Sequence, residues 1–211
     1  DYIVVGTEAY QVGATGPRYP ASIDIFDVNT GNLLRTLTPP SDAYGWGGRI
    51  SVSGDTIAVG SDRPNDAKVF LFDIKTGTQL GTLQHPLVRD FTSMQFRNDK
   101  LLLGQTRGSA FLLDTSGNLL QTFPSPGTDP DVSGAYFDFC GSNILIGSFG
   151  SLNANTSVVP AARLYDSSSG TLIQILNDFA PGDRIFSMDA NPSGTQLAIV
   201  RAVYPSLSTQ V

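Results

Sequence analysis

A motif that returns four times constrains this 211-residue chain more than any other feature. An apolar residue and an aspartate precede a short polar turn, a glycine and leucine-like residues. The copies run from Phe26-Asp27 to Leu33-Leu34, from Phe72-Asp73 to Leu80, from Leu113-Asp114 to Leu119-Leu120 and from Tyr165-Asp166 to Leu172-Ile173. Successive aspartates stand 46, 41 and 52 residues apart. A period of that length holds one supersecondary unit that cannot bury its own apolar face, so neighbouring units must stack.

The unit reads as four short strands in a meander. Residues 49–53 alternate, Gly54-Asp55 turns, 56–60 run apolar and 61–67 form a loop. Residues 69–73 run apolar again, and a turn at 75–77 leads into 79–83. The order recurs at 92–96, 101–104, 110–114 and 119–123, then at 135–140, 144–147, 163–166 and 172–176. Runs such as Leu101-Leu102-Leu103 lack alternation, which implies a sheet covered on both faces. Helices should be scarce, because Glu8 is the only glutamate among 19 acidic residues and 22 Gly and 13 Pro supply turns.

The expected fold class is all-β: a β-propeller of four-stranded antiparallel blades in one domain. The repeat units are about 1–48, 49–91, 92–134 and 135–183, with a partial unit at 184–211. Strands total seventeen, which does not fill whole blades, so the expectation is a portion of a larger ring of about six to eight blades. A four-blade ring closed by residues 184–191 beside residues 2–6 is the alternative. A start at Asp1, with no leader or signal core, suggests a chain already processed or excised.

Each repeated aspartate has a local task. The carboxylates of Asp27, Asp73, Asp114 and Asp166 can accept hydrogen bonds from turn amides two or three residues on, while Gly31, Gly77, Gly117 and Gly170 take a positive φ at little steric cost. These eight positions read as structural turn residues.

Residues 69–83, Val-Phe-Leu-Phe-Asp-Ile-Lys-Thr-Gly-Thr-Gln-Leu-Gly-Thr-Leu, resemble the third strand, turn and fourth strand of WD-repeat propellers, with Phe-Asp, Leu-Asp and Tyr-Asp where such repeats have Trp-Asp. Residues 25–40 and Pro181-Gly182-Asp183-Arg184-Ile185-Phe186 are similar to FG-GAP-like propellers, which are often secreted or carried on cell surfaces. The resemblance covers nearly the whole chain. It implies an extracellular or cell-surface, non-enzymatic interaction or assembly module. The alternatives are a propeller-based carbohydrate-active enzyme and an intracellular WD-repeat-like scaffold.

A net charge of -6 and a pI near 4.5 exclude nucleic acid as the expected partner, because ten Arg and three Lys scattered singly make no basic stripe. No run of about 18 apolar residues provides for membrane insertion. Cys140 is the only cysteine and His85 the only histidine, so an intrachain disulfide, cysteine-spaced zinc and a histidine cluster are excluded. Cys140 is expected to be a buried structural thiol. With Trp46 as the only tryptophan and no Asp-x-Asp-x-Asp-Gly loop, no cofactor and no metal are expected.

A meandering blade sends its first-to-second and third-to-fourth turns to one side and its long connections to the other. Loops on a rigid scaffold are the usual place for binding. The candidate binding residues on that loop face are Tyr44, Trp46, Asp62, Asp66, Asp129 and Asp131, an acidic and aromatic set suited to protein or glycan. Asp129 with Asp131, or Asp62 with Asp66, would be the first carboxylate pairs to consider for glycoside cleavage or calcium. Asn155-Thr156-Ser157 is a glycosylation sequon. The chain is also expected to sit in a larger assembly or longer polypeptide.

Overall fold

The computed structural model describes residues 1–8, 10–11, 18–43, 45–61, 66–105, 109–124, 135–148, 160–180 and 183–202. These hold nineteen strands and no helix. In chain order they are β1 (Tyr2–Thr7), β2 (Tyr10–Gln11), β3 (Arg18–Tyr19), β4 (Ser22–Asp27), β5 (Leu33–Leu37), β6 (Ile50–Ser53), β7 (Thr56–Ser61), β8 (Lys68–Asp73), β9 (Gln79–Leu83) and β10 (Ser93–Arg97). There follow β11 (Lys100–Gly104), β12 (Ala110–Asp114), β13 (Leu119–Phe123), β14 (Ala135–Cys140), β15 (Asn143–Ser148), β16 (Ala162–Asp166), β17 (Leu172–Leu176), β18 (Arg184–Ala190) and β19 (Leu197–Ala202).

Seventeen of these strands form five antiparallel sheets in meander order: β1-β4-β5, β6-β7-β8-β9, β10-β11-β12-β13, β14-β15-β16-β17 and β18-β19. The other two, β2 and β3, pair as a short ribbon inside the connection from β1 to β4. Among the described residues no sheet closes on itself. Within the described residues β18 pairs only with β19 and β1 only with β4, so the four-blade closure of 184–191 onto 2–6 does not form.

Four of the hairpins share one defect. The register slips at Ile25/Phe26, Leu71/Phe72, Leu112/Leu113 and Leu164/Tyr165, each time immediately before the repeated aspartate. A bulge at that point bends the third strand into its turn. The aspartate carboxylate then collects the turn's donors.

Apolar residues between the sheets form four clusters. Ile23, Ile25 and Leu37 of the first sheet meet Ile57, Val59, Phe70 and Phe72 of the second. Ala58, Val69, Leu71 and Leu83 meet Leu101, Leu103, Phe111 and Leu113. Leu102, Leu112 and Phe123 meet Phe137, Phe139, Ile144, Ile146 and Tyr165. Cys140, Leu145 and Ala162 meet Ile185, Met188 and Ala190. Middle strands such as β11, with Leu101, Leu102 and Leu103 at 0%, 0% and 3% exposure, are therefore covered on both faces. The first strands of the last four sheets also touch in series, β6 with β10, β10 with β14 and β14 with β18.

Candidate functional site

The repeated aspartates each accept hydrogen bonds from their own turns. Asp27 Oδ1 accepts the amides of Asn29 and Thr30 at 2.9 and 2.8 Å and the Thr30 hydroxyl at 3.1 Å. Asp73 Oδ1 accepts the Thr76 amide and hydroxyl at 2.7 and 2.8 Å. Asp114 accepts from Ser116 and Asn118, and Asp166 takes the amides and hydroxyls of Ser168 and Ser169. These bonds favour the charged form, so all four carboxyls lie below the ordinary value. Gly31, Gly77, Gly117 and Gly170 follow with φ of 69°, 73°, 83° and 70°. Carboxylates so engaged hold the turns together.

The long connections of both kinds meet on one side. Lys68 Nζ, at the start of β8, donates to Asp42 Oδ2 at 2.7 Å and lies 3.7 Å from Asp66 Oδ2. Asp42 belongs to the β5–β6 connection and Asp66 to the β7–β8 connection. The Asp42 bond pushes Lys68 up and draws Asp42 down. Asp66 Oδ1 also accepts from Gln84 Nε2 at 2.9 Å, and Gln105 Nε2 donates to the Leu87 carbonyl at 3.0 Å. On the opposite side Lys75 Nζ, in a third-to-fourth turn, pairs with Asp55 Oδ2 in a first-to-second turn at 2.5 Å. The sorting of connections onto two sides holds at these contacts.

Of the candidate binding residues, Asp66 lies in this network. Trp46 does not offer a surface: it is 2% exposed and packs edge-on against Phe70 and Phe72, with ring centres 5.6 and 5.5 Å away. Gly45 and Gly47, at φ 64° and 92°, fold the loop back so that the indole enters the core between the first two sheets. Tyr44, Asp62, Asp129, Asp131 and Asn155 lie outside the described residues.

A second polar group, missed in the sequence, lies between the first strands of the fourth and fifth sheets. Asp138 on β14 is 3% exposed. Its Oδ1 accepts the Phe139 amide at 2.8 Å and its Oδ2 the Ala190 amide of β18 at 2.9 Å. Burial pushes this carboxyl up, with the Asp189 side chain adding to the rise, while the two amides and Arg97 oppose it. Arg97 on β10 donates from Nη1 to the Phe139 carbonyl at 3.0 Å and lies 5.5 Å over the Phe139 ring. Beside them Arg97, Asp189, Asn191 and Gln196 border a cleft of about 500 Å³. Asp138 holds the fourth sheet to the fifth, as Ser51 holds the second to the third by accepting the Phe96 amide at 2.8 Å.

Cys140 is 7% exposed, and burial pushes its thiol up, so it packs as a neutral group. Among the described residues no three His, Cys, Asp or Glu side chains converge as for a metal ion. No helix among them is long and apolar enough to cross a membrane.

No family model matches the chain, and no curated protein matches it. Solved structures do. Hydrazine synthase of Kuenenia stuttgartiensis aligns with a TM-score of 0.62 at 10% identity, over 85% of this chain and 49% of that one. A chain of the mitotic checkpoint complex aligns at 0.57 and 16% identity, over 91% and 67%. The computationally designed protein Ika8 aligns at 0.54 and 14% identity, over 88% and 52%. The chain thus spans about half the length of the Ika8 and hydrazine synthase chains. At such identities the likeness bears on fold alone, and it supports a repeated, propeller-like series of antiparallel sheets.

Proposed function

We propose that the chain is a non-enzymatic interaction or assembly module of propeller type, its sheets set around an axis along their first strands, and that its loop-rich side binds a protein. The observation that carries this reading is Lys68 joining Asp42 and Asp66, which ties two kinds of long connection into one acidic surface on a stiff support. The likeness to a chain of the mitotic checkpoint complex, a protein assembly by its name, favours a protein partner over a glycan. Placement outside the cell or on its surface rests on the FG-GAP-like resemblance and on the sequon at Asn155; a glycan mass at Asn155 would support it.

Site-specific photo-crosslinking tests the binding side. A crosslinker at Asp66, on the loop side, should capture a protein from the cell surface or medium, whereas one at Asp55, on the turn side, should not. Equal capture from both positions refutes the assignment. Binding to a glycan array would shift the partner class, and turnover of an oligosaccharide would replace the module with a carbohydrate-active enzyme.

A further inference from the structure

The last strand of each of the first four sheets has one unpaired edge. Among the described residues β5, β9, β13 and β17 bond only to β4, β8, β12 and β16. The chain runs on past β5, β9 and β13 into further sheets without covering that edge, so the bare edge belongs to the repeat and does not depend on where the sequence stops. Such an edge is a template for pairing with another chain unless its own residues prevent it.

Three of the four are ill suited to pairing with a copy of themselves. Antiparallel self-pairing about the middle of a strand sets the central residue opposite its own copy. In β5 that residue is Arg35, so like charges would meet, and its Nη1 is already engaged by the Ile74 carbonyl of the second sheet at 3.3 Å. In β9 it is Gly81, which brings no side chain to the pair. In β13 it is Gln121, whose Oε1 accepts the Thr122 amide at 2.9 Å and whose side chain packs against Gly170 of the fourth sheet. Its flanks would also set Thr122 opposite Leu120 and Phe123 opposite Leu119.

The strand β17 differs. Its sequence, Leu172-Ile173-Gln174-Ile175-Leu176, reads the same in both directions. Paired with its own copy, it sets Gln174 opposite Gln174, Ile173 opposite Ile175 and Leu172 opposite Leu176. Neighbours across such a pair are of one kind at every position, and β-branched pairs are among those that stabilise a sheet. No charged residue stands between Asp166 and Asp178, and the strand contains neither Gly nor Pro, so the usual guards of an edge are missing. Leu172, Ile173 and Ile175 are 43%, 52% and 45% exposed. Leu172 lies opposite Tyr165 and Ile175 opposite Arg163, on the face turned to the third sheet, where Tyr165 meets Phe123 at 5.6 Å between ring centres. That neighbouring sheet has all four of its strands, so a missing sheet does not account for this exposure.

We propose that β17 pairs edge to edge with β17 of a second copy of this chain, about a two-fold axis through Gln174, and so joins two four-stranded sheets into one of eight strands. Both copies present the same surface. Each uses its single open β17 edge, so the assembly closes at a dimer and does not propagate.

Sedimentation equilibrium of the whole chain should show a concentration-dependent species of twice the 22.4 kDa monomer mass. Gln174→Lys sets two ammonium groups against each other across the axis and should weaken the dimer about five-fold. Ile173→Lys removes an isoleucine pair on both sides of the axis and should weaken it at least about ten-fold. Combining Ile173→Lys with Ile175→Glu places Lys opposite Glu twice and should recover most of that loss. Leu80→Lys on β9 should change nothing. A short bismaleimide should link Gln174→Cys to its own copy, whereas Leu80→Cys, 56% exposed, should give no more linked dimer than the parent with its buried Cys140. A monomer at every concentration overturns the proposal. So does a dimer indifferent to Ile173→Lys, a double variant no better than Ile173→Lys alone, or equal linking from Leu80→Cys. Neither Asp66 nor Asp55 lies on β17, so loss of the dimer and loss of capture at the loop side are separate results.

Discussion

Gly104→Ala tests the stacking of the sheets at a single methyl group. A Cβ at Gly104 overlaps Cε2 and Cδ2 of Phe137 and lies 2.7 Å from Cζ. Phe137 is 4% exposed and is packed in one cluster with Leu102, Leu112, Phe123 and Ile144, so its ring has no adjoining space to enter. Overpacking of this kind costs about 1–3 kcal/mol. Gly147→Ala instead meets Cε and Sδ of Met188, a chain whose torsions can swing aside, and should cost under about 1 kcal/mol. Gly81→Ala meets nothing within 4 Å and should be neutral or gain up to about 1 kcal/mol from a less flexible unfolded chain. Urea unfolding should therefore rank Gly104→Ala below Gly147→Ala, and that below the unaltered chain and Gly81→Ala. Adding Phe137→Leu to Gly104→Ala should recover a coupling of about 0.5–3 kcal/mol. If Gly104→Ala unfolds with Gly81→Ala, or Phe137→Leu rescues nothing, the third and fourth sheets do not pack through this contact.

The turn carboxylates make stability depend on acid. Their pKa values are lower folded than unfolded, so their contribution is present above the ordinary carboxylate value of 3.8 and fades as pH falls through and below it. Asp138 titrates in the opposite sense, being raised, but is one group against four. Urea midpoints between about pH 6 and pH 3 should fall, and Asp166→Asn, which has no charge to lose, should lie below the parent at the upper end and approach it at the lower, flattening the slope; an unchanged slope refutes this. Ser51→Ala should cost about 1–2 kcal/mol by orphaning the Phe96 amide, and a midpoint equal to the parent's would refute the contact. Arg163 stands where the second and third sheets have Phe70 and Phe111, and its Nη1 is buried with no hydrogen-bond partner among the described residues. Arg163→Met should raise stability by about 1 kcal/mol, whereas a loss would show that the guanidinium is satisfied.

The strands were legible because each apolar run is bounded by chemistry that stops it. Residues 110–114 and 119–123 read from the sequence match β12 and β13 to the residue, since an aspartate ends one run and a glycine turn precedes the next. The ribbon of β2 and β3 was not legible: two-residue strands carry no periodicity. Trp46 misled for a different reason. An aromatic in a Gly-rich loop reads as surface, and only the positive φ at its glycine neighbours turns it inward. Asp138 carried a signal, an acid within the apolar run from Tyr136 to Cys140, but its second partner is the Ala190 amide 52 residues away. Nothing local to Asp138 could have named that amide.

Comparison of one repeat position across the sheets explains why the fifth is set apart. Ser51 and Asp138 occupy matching places on their first strands, and each accepts an amide from the next sheet. A hydroxyl does so without charge. A carboxyl in that place is penalised by burial, with Asp189 adding to the penalty, while the Ala190 and Phe139 amides and Arg97 favour its charged form. The same sheet leaves Leu197 and Ile199 half-buried where its counterparts are covered. Among the described residues this lesser apolar cover places β18 and β19 at the lower end of local stability.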